Sequence, residues 1–121
     1  MKIAILGQIH QDGLDFLKSQ SLEIIEVSNF NEQNLISEIS GVDGIVIRTA
    51  NLGEGVLSKC ENLKIVSRHG VGYDNIDLNF LNKKRIALAI TGQSNAISVS
   101  EHVMTMMLVL TKNIFVSDNL T

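Results

Sequence analysis

Two short stretches of this chain have the residue types that hold a small organic anion. The first is Arg48-Thr49-Ala50-Asn51, which follows an apolar run. There a guanidinium can offer a planar fork of donors to a carboxylate or phosphate, or stand in a surface ion pair. The second is Arg68-His69-Gly70-Val71-Gly72-Tyr73-Asp74-Asn75-Ile76-Asp77. Gly70 and Gly72 let the backbone approach a ligand and turn successive N–H groups toward it, a concave nest for a carboxylate. The same pair also suits a tight turn, with Asp74 or Asn75 capping the next short helix. Arg68 and His69 can assist an anion held there. The stretch is not a dinucleotide fingerprint, because G-x-G-x-x-G needs a third glycine and position 75 is Asn. No two His or Cys residues have metal-ligand spacing, so no metal site is expected.

These stretches need elements to position them. Apolar runs rich in Ile, Val and Leu at 2–6, 22–27, 44–47, 64–67 and 86–90 read as buried strands. Between them lie segments with helical spacing: Leu14 and Leu17 after Asp12, then Leu35, Ile36 and Ile39 behind a cap at Asn31, then Val56 and Leu57, then residues 76–81. Strands that alternate with helices demand crossovers. The expectation is an α/β, flavodoxin-like, doubly wound parallel sheet of five strands, order 2-1-3-4-5, covered on both faces and followed by a long C-terminal helix. Ligands of such sheets bind at the carboxyl edge, where both stretches fall. The loop after the first strand, Gly7-Gln8-Ile9-His10-Gln11-Asp12, lacks both the hydroxyl-rich phosphate loop of a flavodoxin and the acidic pair of a receiver domain.

The last segment differs in kind. A helix over 96–113 is introduced by Asn95 or by the box Ser98-Val99-Ser100-Glu101, and from Val103 to Leu110 it is apolar almost all round. Such a helix needs cover on more than one side, from a second copy of the chain or from another domain. A homodimer through 96–113 is therefore expected. The chain has 121 residues, 45% hydrophobic and 19% charged, with a net charge of −3. That composition suits one globular domain and carries no basic footprint for nucleic acid. No apolar stretch approaches the ~20 residues of a membrane helix. The lone Cys60 and the absence of a basic-then-apolar leader point to a reducing cytoplasm.

Taken with Asn95-Ala96-Ile97-Ser98-Val99-Ser100-Glu101-His102, the Arg68 to Asp77 stretch resembles the D-isomer-specific 2-hydroxyacid dehydrogenases, most of all their 3-phosphoglycerate dehydrogenase members. In that family an R-x-G-x-G-x-D-N-[IV]-D loop precedes a helix opening N-x-x-S-V-A-E-H, and Arg48-Thr49-Ala50 matches an R-[ST]-x segment. The resemblance covers the whole chain. It implies that the backbone of Gly70, Val71 and Gly72 holds the carboxylate of a small 2-hydroxy or 2-oxo acid. Arg48, beside Thr49, contacts its far, often phosphorylated end, and Asn95 sits between two domains.

Residues 1–95 would then be the substrate-binding domain and 96–121 the first helix of a cofactor-binding domain. NAD or NADP would serve the full-length enzyme. The family's G-x-G-x-x-G and its catalytic Arg, Glu and His match nothing before Thr121, so no catalytic or cofactor-binding residue is assigned, and neither tight NAD binding nor turnover by this chain is expected. Glu101 and His102 open the helix and are not that Glu and His. One departure is Gly92 after Thr91, where the family has Pro, which implies a looser hinge. Two other readings remain at this point. One is a free-standing sensor of small acids that dimerises through its last helix. The other is a receiver-type signalling domain, against which the missing acidic pocket counts.

Overall fold

The computed structural model describes residues 1–118. Strands and helices alternate as β1 (Lys2–Leu6), α1 (Gln11–Ser19), β2 (Glu23–Val27), α2 (Glu32–Ile39), β3 (Gly44–Ile47), α3 (Glu54–Leu57), β4 (Ile65–Arg68), α4 (Leu78–Lys84), β5 (Ala87–Ile90), α5 (Ala96–Thr111) and α6 (Ile114–Asp118). The five strands form one parallel sheet in the order β2-β1-β3-β4-β5, which agrees with the expected flavodoxin-like α/β winding. The β-branched residues of the strands favour this pleated, half-buried state.

One face of the sheet carries the core. Ala4, Leu6, Ile45, Ile47 and Val66 point to the same side and pack with Leu35 and Ile39 of α2, Val56 and Leu57 of α3, and Phe80 and Leu81 of α4. Burial of each large side chain stabilises the fold by roughly 1.5–3 kcal/mol. Ile3 and Ile5 are buried on the opposite face. There α1 is joined to β2 by an ion pair of Lys18 with Glu26 at 3.5 Å.

The expected cover on both faces is incomplete. On the α1 side, Ile65, Ala87 and Ala89 of β4 and β5 are exposed, because none of the helices of the core cluster reaches that strip. Alternating Ala and Leu reads as a buried strand, but burial depends on a second layer that the strand itself does not supply.

The amino edge is closed by one acid. Asp43 accepts from the Lys2 N–H at 2.9 Å and from the Lys64 ammonium at 2.8 Å. Its own N–H donates to the Lys2 carbonyl, and its carbonyl accepts from the Lys64 N–H. The Lys64 ammonium, then the Lys2 N–H, hold its carboxyl below the usual carboxylate range.

Helix ends differ from expectation in small, explicable ways. Asp77 caps α4 by accepting from the Phe80 N–H at 3.0 Å, so that helix begins after residue 76. Asn31 and Asn95 stand at N-cap positions without side-chain cap bonds. The Ser98–Glu101 box does not form a cap, since α5 already begins at Ala96 and the Ser100 hydroxyl donates to the Ala96 carbonyl. The helix expected over 96–113 ends at Thr111, because Asn113 takes a left-handed conformation with φ 49°. Residues 119–121 of the expected second unit lie outside the described residues. Ile97, Met104, Met107, Leu108 and Leu110 of α5 are exposed, Leu110 at 70%. Among the described residues no helix is long and apolar enough to cross a membrane.

Cys60 is buried, and its thiol donates weakly to the Val56 carbonyl at 3.6 Å. Burial pushes the thiol up from an ordinary value of 9.0 to about 11. The unfolded chain releases this proton first, so the thiol's contribution to stability is complete below pH 9 and declines as pH rises toward 11. We expect iodoacetamide to alkylate Cys60 at pH 8 at least tenfold more slowly in the folded chain than in urea, by mass spectrometry. Equal rates would place the thiol outside the core.

Candidate functional site

The ends of four neighbouring strands are held level by the sheet. Leu6 stands beside Ile47, Ile47 beside Arg68, and Arg68 beside Ile90. The ladder continues one step past the strands: the Arg48 N–H donates to the Leu6 carbonyl at 3.1 Å and the His69 N–H to the Ile47 carbonyl at 2.8 Å. Gly7, Arg48 and His69 therefore leave the sheet at one height. Gly7 has φ 103°, a turn that glycine adopts without strain.

Beyond this edge two loops are tied together at their far ends. The Asn75 amide donates to the Ala50 carbonyl at 2.5 Å. Leu52 pairs with Ile76 as an isolated parallel bridge, with the Leu52 N–H on the Asn75 carbonyl at 2.8 Å and the Asp77 N–H on the Leu52 carbonyl at 3.0 Å. Between the loops lies a cavity of about 320 Å³ lined by Arg48, Thr49, Arg68, Gly72, Asp74 and Asn75. A hollow of about 400 Å³ around Cys60 and Lys84 lies at the opposite, amino edge of the sheet.

The structure thus brings Arg48, Thr49 and Gly72 to one cavity. Gly70 and Val71 belong to the same loop, and Gly70 has φ 149°. The Gly70 N–H turns back to the Arg68 carbonyl at 2.9 Å. Among the described residues, Val71 and Gly72 give their N–H groups to no backbone acceptor. Asn95, the N-cap of α5, is not part of the cavity lining.

The sequence gives Arg68 only a supporting place and offers Asp74 or Asn75 as a cap only in the alternative reading of a tight turn. The structure puts all three on the cavity wall and gives the capping task to Asp77. The Arg48 guanidinium reaches the Gln8 carbonyl at 3.4 Å, a long contact for a group of five donors. Arg68 donates from Nη1 to the His69 carbonyl, while its Nε is buried without an acceptor. Neither arginine forms an ion pair among the described residues. The arrangement can therefore receive an anion with two guanidinium forks and two backbone N–H groups. No group of three or more His, Cys, Asp or Glu able to hold a metal exists among the described residues.

Comparison with known proteins gives the family. Residues 3–118 match the family described as D-isomer specific 2-hydroxyacid dehydrogenase, catalytic domain. The D-3-phosphoglycerate dehydrogenase of Archaeoglobus fulgidus is 30% identical over 115 residues, which are 94% of this chain and 22% of that protein. The crystal structure of NAD+-bound 3-phosphoglycerate dehydrogenase of Entamoeba histolytica superimposes with a TM-score of 0.77 at 26% identity, covering 90% of this chain and 38% of that one. The NAD-dependent formate dehydrogenase of Staphylococcus aureus, in complex with NAD, gives 0.80 at 27% identity, covering 94% of this chain and 39% of that one. The chain spans about a fifth of the length of the curated relatives it matches.

Asn75→Ala removes the side-chain tie between the loops and leaves the Ala50 carbonyl without that donor. We expect a loss of about 1–3 kcal/mol in urea denaturation. The residues of 70–75 should exchange their amide hydrogens faster, while those of β1 and β3 stay unchanged.

Proposed function

The chain belongs to the D-isomer-specific 2-hydroxyacid dehydrogenase family, and on that premise we propose that it forms the substrate-gripping wall of an NAD- or NADP-dependent oxidoreductase acting on a small 2-hydroxy or 2-oxo acid. The observation that carries this reading is the cavity lined by two arginines, neither in an ion pair among the described residues. The N–H groups of Val71 and Gly72, on the loop shaped by Gly70, take the carboxylate next to the reacting carbon. Arg48 and Arg68, beside Thr49, take the other end of the molecule, which two fixed positive charges select to be anionic, as in a 3-phosphoglycerate-like acid.

These residues bind and orient. Holding the acid by both ends removes the freedom that a loosely bound substrate keeps, which lowers the barrier to any reaction at the carbon between them. The nicotinamide cofactor supplies hydride transfer when bound. The loop 70–75 does not fit a dinucleotide, since Asn75 replaces the third glycine of its fingerprint and no helix of eight or more residues starts there. We place the cofactor, and the acid/base for the hydroxyl proton, on other parts of the enzyme. Residues 1–95 constitute the substrate-binding unit, Asn95 lies at the junction, and α5 opens the cofactor-binding unit. The exposed apolar surface of α5 is an interface with a second copy. A reducing cytoplasm is the compartment we assign, with neither nucleic acid nor membrane as partner.

Titration of the chain with D-3-phosphoglycerate, followed by NMR, tests the grip. We expect Arg48→Ala and Arg68→Ala each to weaken binding about tenfold, as loss of one charge-assisted contact should. D-lactate, which lacks the distal anion, should bind more weakly than D-3-phosphoglycerate and be affected little by either change. Affinities unmoved by Arg48→Ala would mark that arginine as a surface residue.

Sedimentation equilibrium tests the interface. A dimer is expected, with Met107→Lys and Leu110→Lys together giving a monomer. A folded monomer for the unsubstituted chain would refute it.

A further inference from the structure

We propose that Gly70 acts as a positioning residue for Arg68, holding its guanidinium in place because it has no Cβ. The inference rests on the reading of the cavity as an anion grip. Arg68 ends β4, and its side chain is half-buried and folds back over its own loop, where Nη1 donates to the His69 carbonyl. A Cβ built on Gly70 would lie 2.7 Å from Nη1, 3.0 Å from Cζ and 3.2 Å from Nη2 of Arg68. The guanidinium therefore lies over the bare backbone of Gly70, and a side chain at position 70 would force it to shift.

The glycine thus has two tasks. Its φ of 149° shapes the loop, and its bare Cα provides the bed on which the arginine lies.

The second task has a functional consequence. An arginine on a surface samples many rotamers, and ordering it on binding weakens affinity. With the Gly70 carbon beneath it and the His69 carbonyl anchoring one nitrogen, Arg68 is ordered before a ligand arrives. The folded-back pose also buries Nε with no acceptor, a state that costs free energy until one is provided. An anion entering beside Arg48 meets the Arg68 guanidinium, which lines the same cavity. Gly70 therefore affects the distal end of the substrate through Arg68, in addition to any effect its loop has on the near carboxylate.

Arginine-selective NMR of the 121-residue chain, with inorganic phosphate as probe, tests the coupling. In the unsubstituted chain the Arg68 Nε–H should exchange with solvent at least tenfold more slowly than that of the exposed Arg48, and phosphate should shift its resonance. Gly70→Ala should abolish this protection and weaken phosphate binding about tenfold. On an Arg68→Ala background, Gly70→Ala should weaken it no further. An equal loss in both backgrounds would assign the glycine to the loop backbone and overturn the proposal. So would equal Nε–H exchange at Arg68 and Arg48 in the unsubstituted chain, a comparison that needs no variant to fold. If Gly70→Ala frees a protected Nε–H while Arg68→Ala leaves phosphate affinity unchanged, the geometric role stands and the anion grip falls.

Discussion

Two guanidinium groups of like charge share the wall of one cavity at the carboxyl edge of this sheet. The β3–β4 register sets Ile47 beside Arg68, and Arg48, one residue on, lines the same cavity. Neither arginine has an ion-pair partner among the described residues, although Asp74 shares the cavity wall. Like charges held near one another in a partly desolvated place favour whatever anion can sit between them.

What keeps the loops in place is mostly backbone. The ladder steps from Leu6 to Arg48 and from Ile47 to His69 extend the sheet past its formal ends, and the Leu52–Ile76 bridge closes the far side. Backbone hydrogen bonds hold these loops without drawing on Thr49, and Arg48 adds only its long contact to the Gln8 carbonyl. Asn75 is the exception, with its amide used as a strut. The site is thus a frame of main chain with charged groups set into it, which suits a function where orientation matters more than flexibility.

Much of this was legible in the sequence, and the limits have physical causes. The runs at 2–6 and 44–47 coincide with β1 and β3, since their apolar patterns end where their pairing ends. The other three strands shift by one residue. Leu22 is apolar but finds no partner, because β2 begins where Glu23 meets Lys2. Arg68 is charged but pairs with Ile47 and Ile90, so β4 reaches one position further than hydrophobicity suggests. Pairing register is a property of two segments and cannot be read from either.

The same reasoning explains the site. Arg48 and the glycine loop are local signals, with residue types that announce their chemistry. The strut from Asn75 to Ala50 spans 25 positions, and the bed that Gly70 makes for Arg68 depends on a rotamer. Neither leaves a mark in spacing.

The two edges of the sheet balance charge differently. At the amino edge Asp43 and Lys64 neutralise each other within the chain, whereas at the carboxyl edge Arg48 and Arg68 await a counter-charge from outside. The net charge of −3 is thus unevenly spread, and a molecule that is anionic as a whole presents a positive mouth. At a distance beyond the ~10 Å screening length of ordinary salt an approaching acid meets little field. Inside it, the two arginines offer an anion beside the cavity a favourable potential that weakens as salt is added.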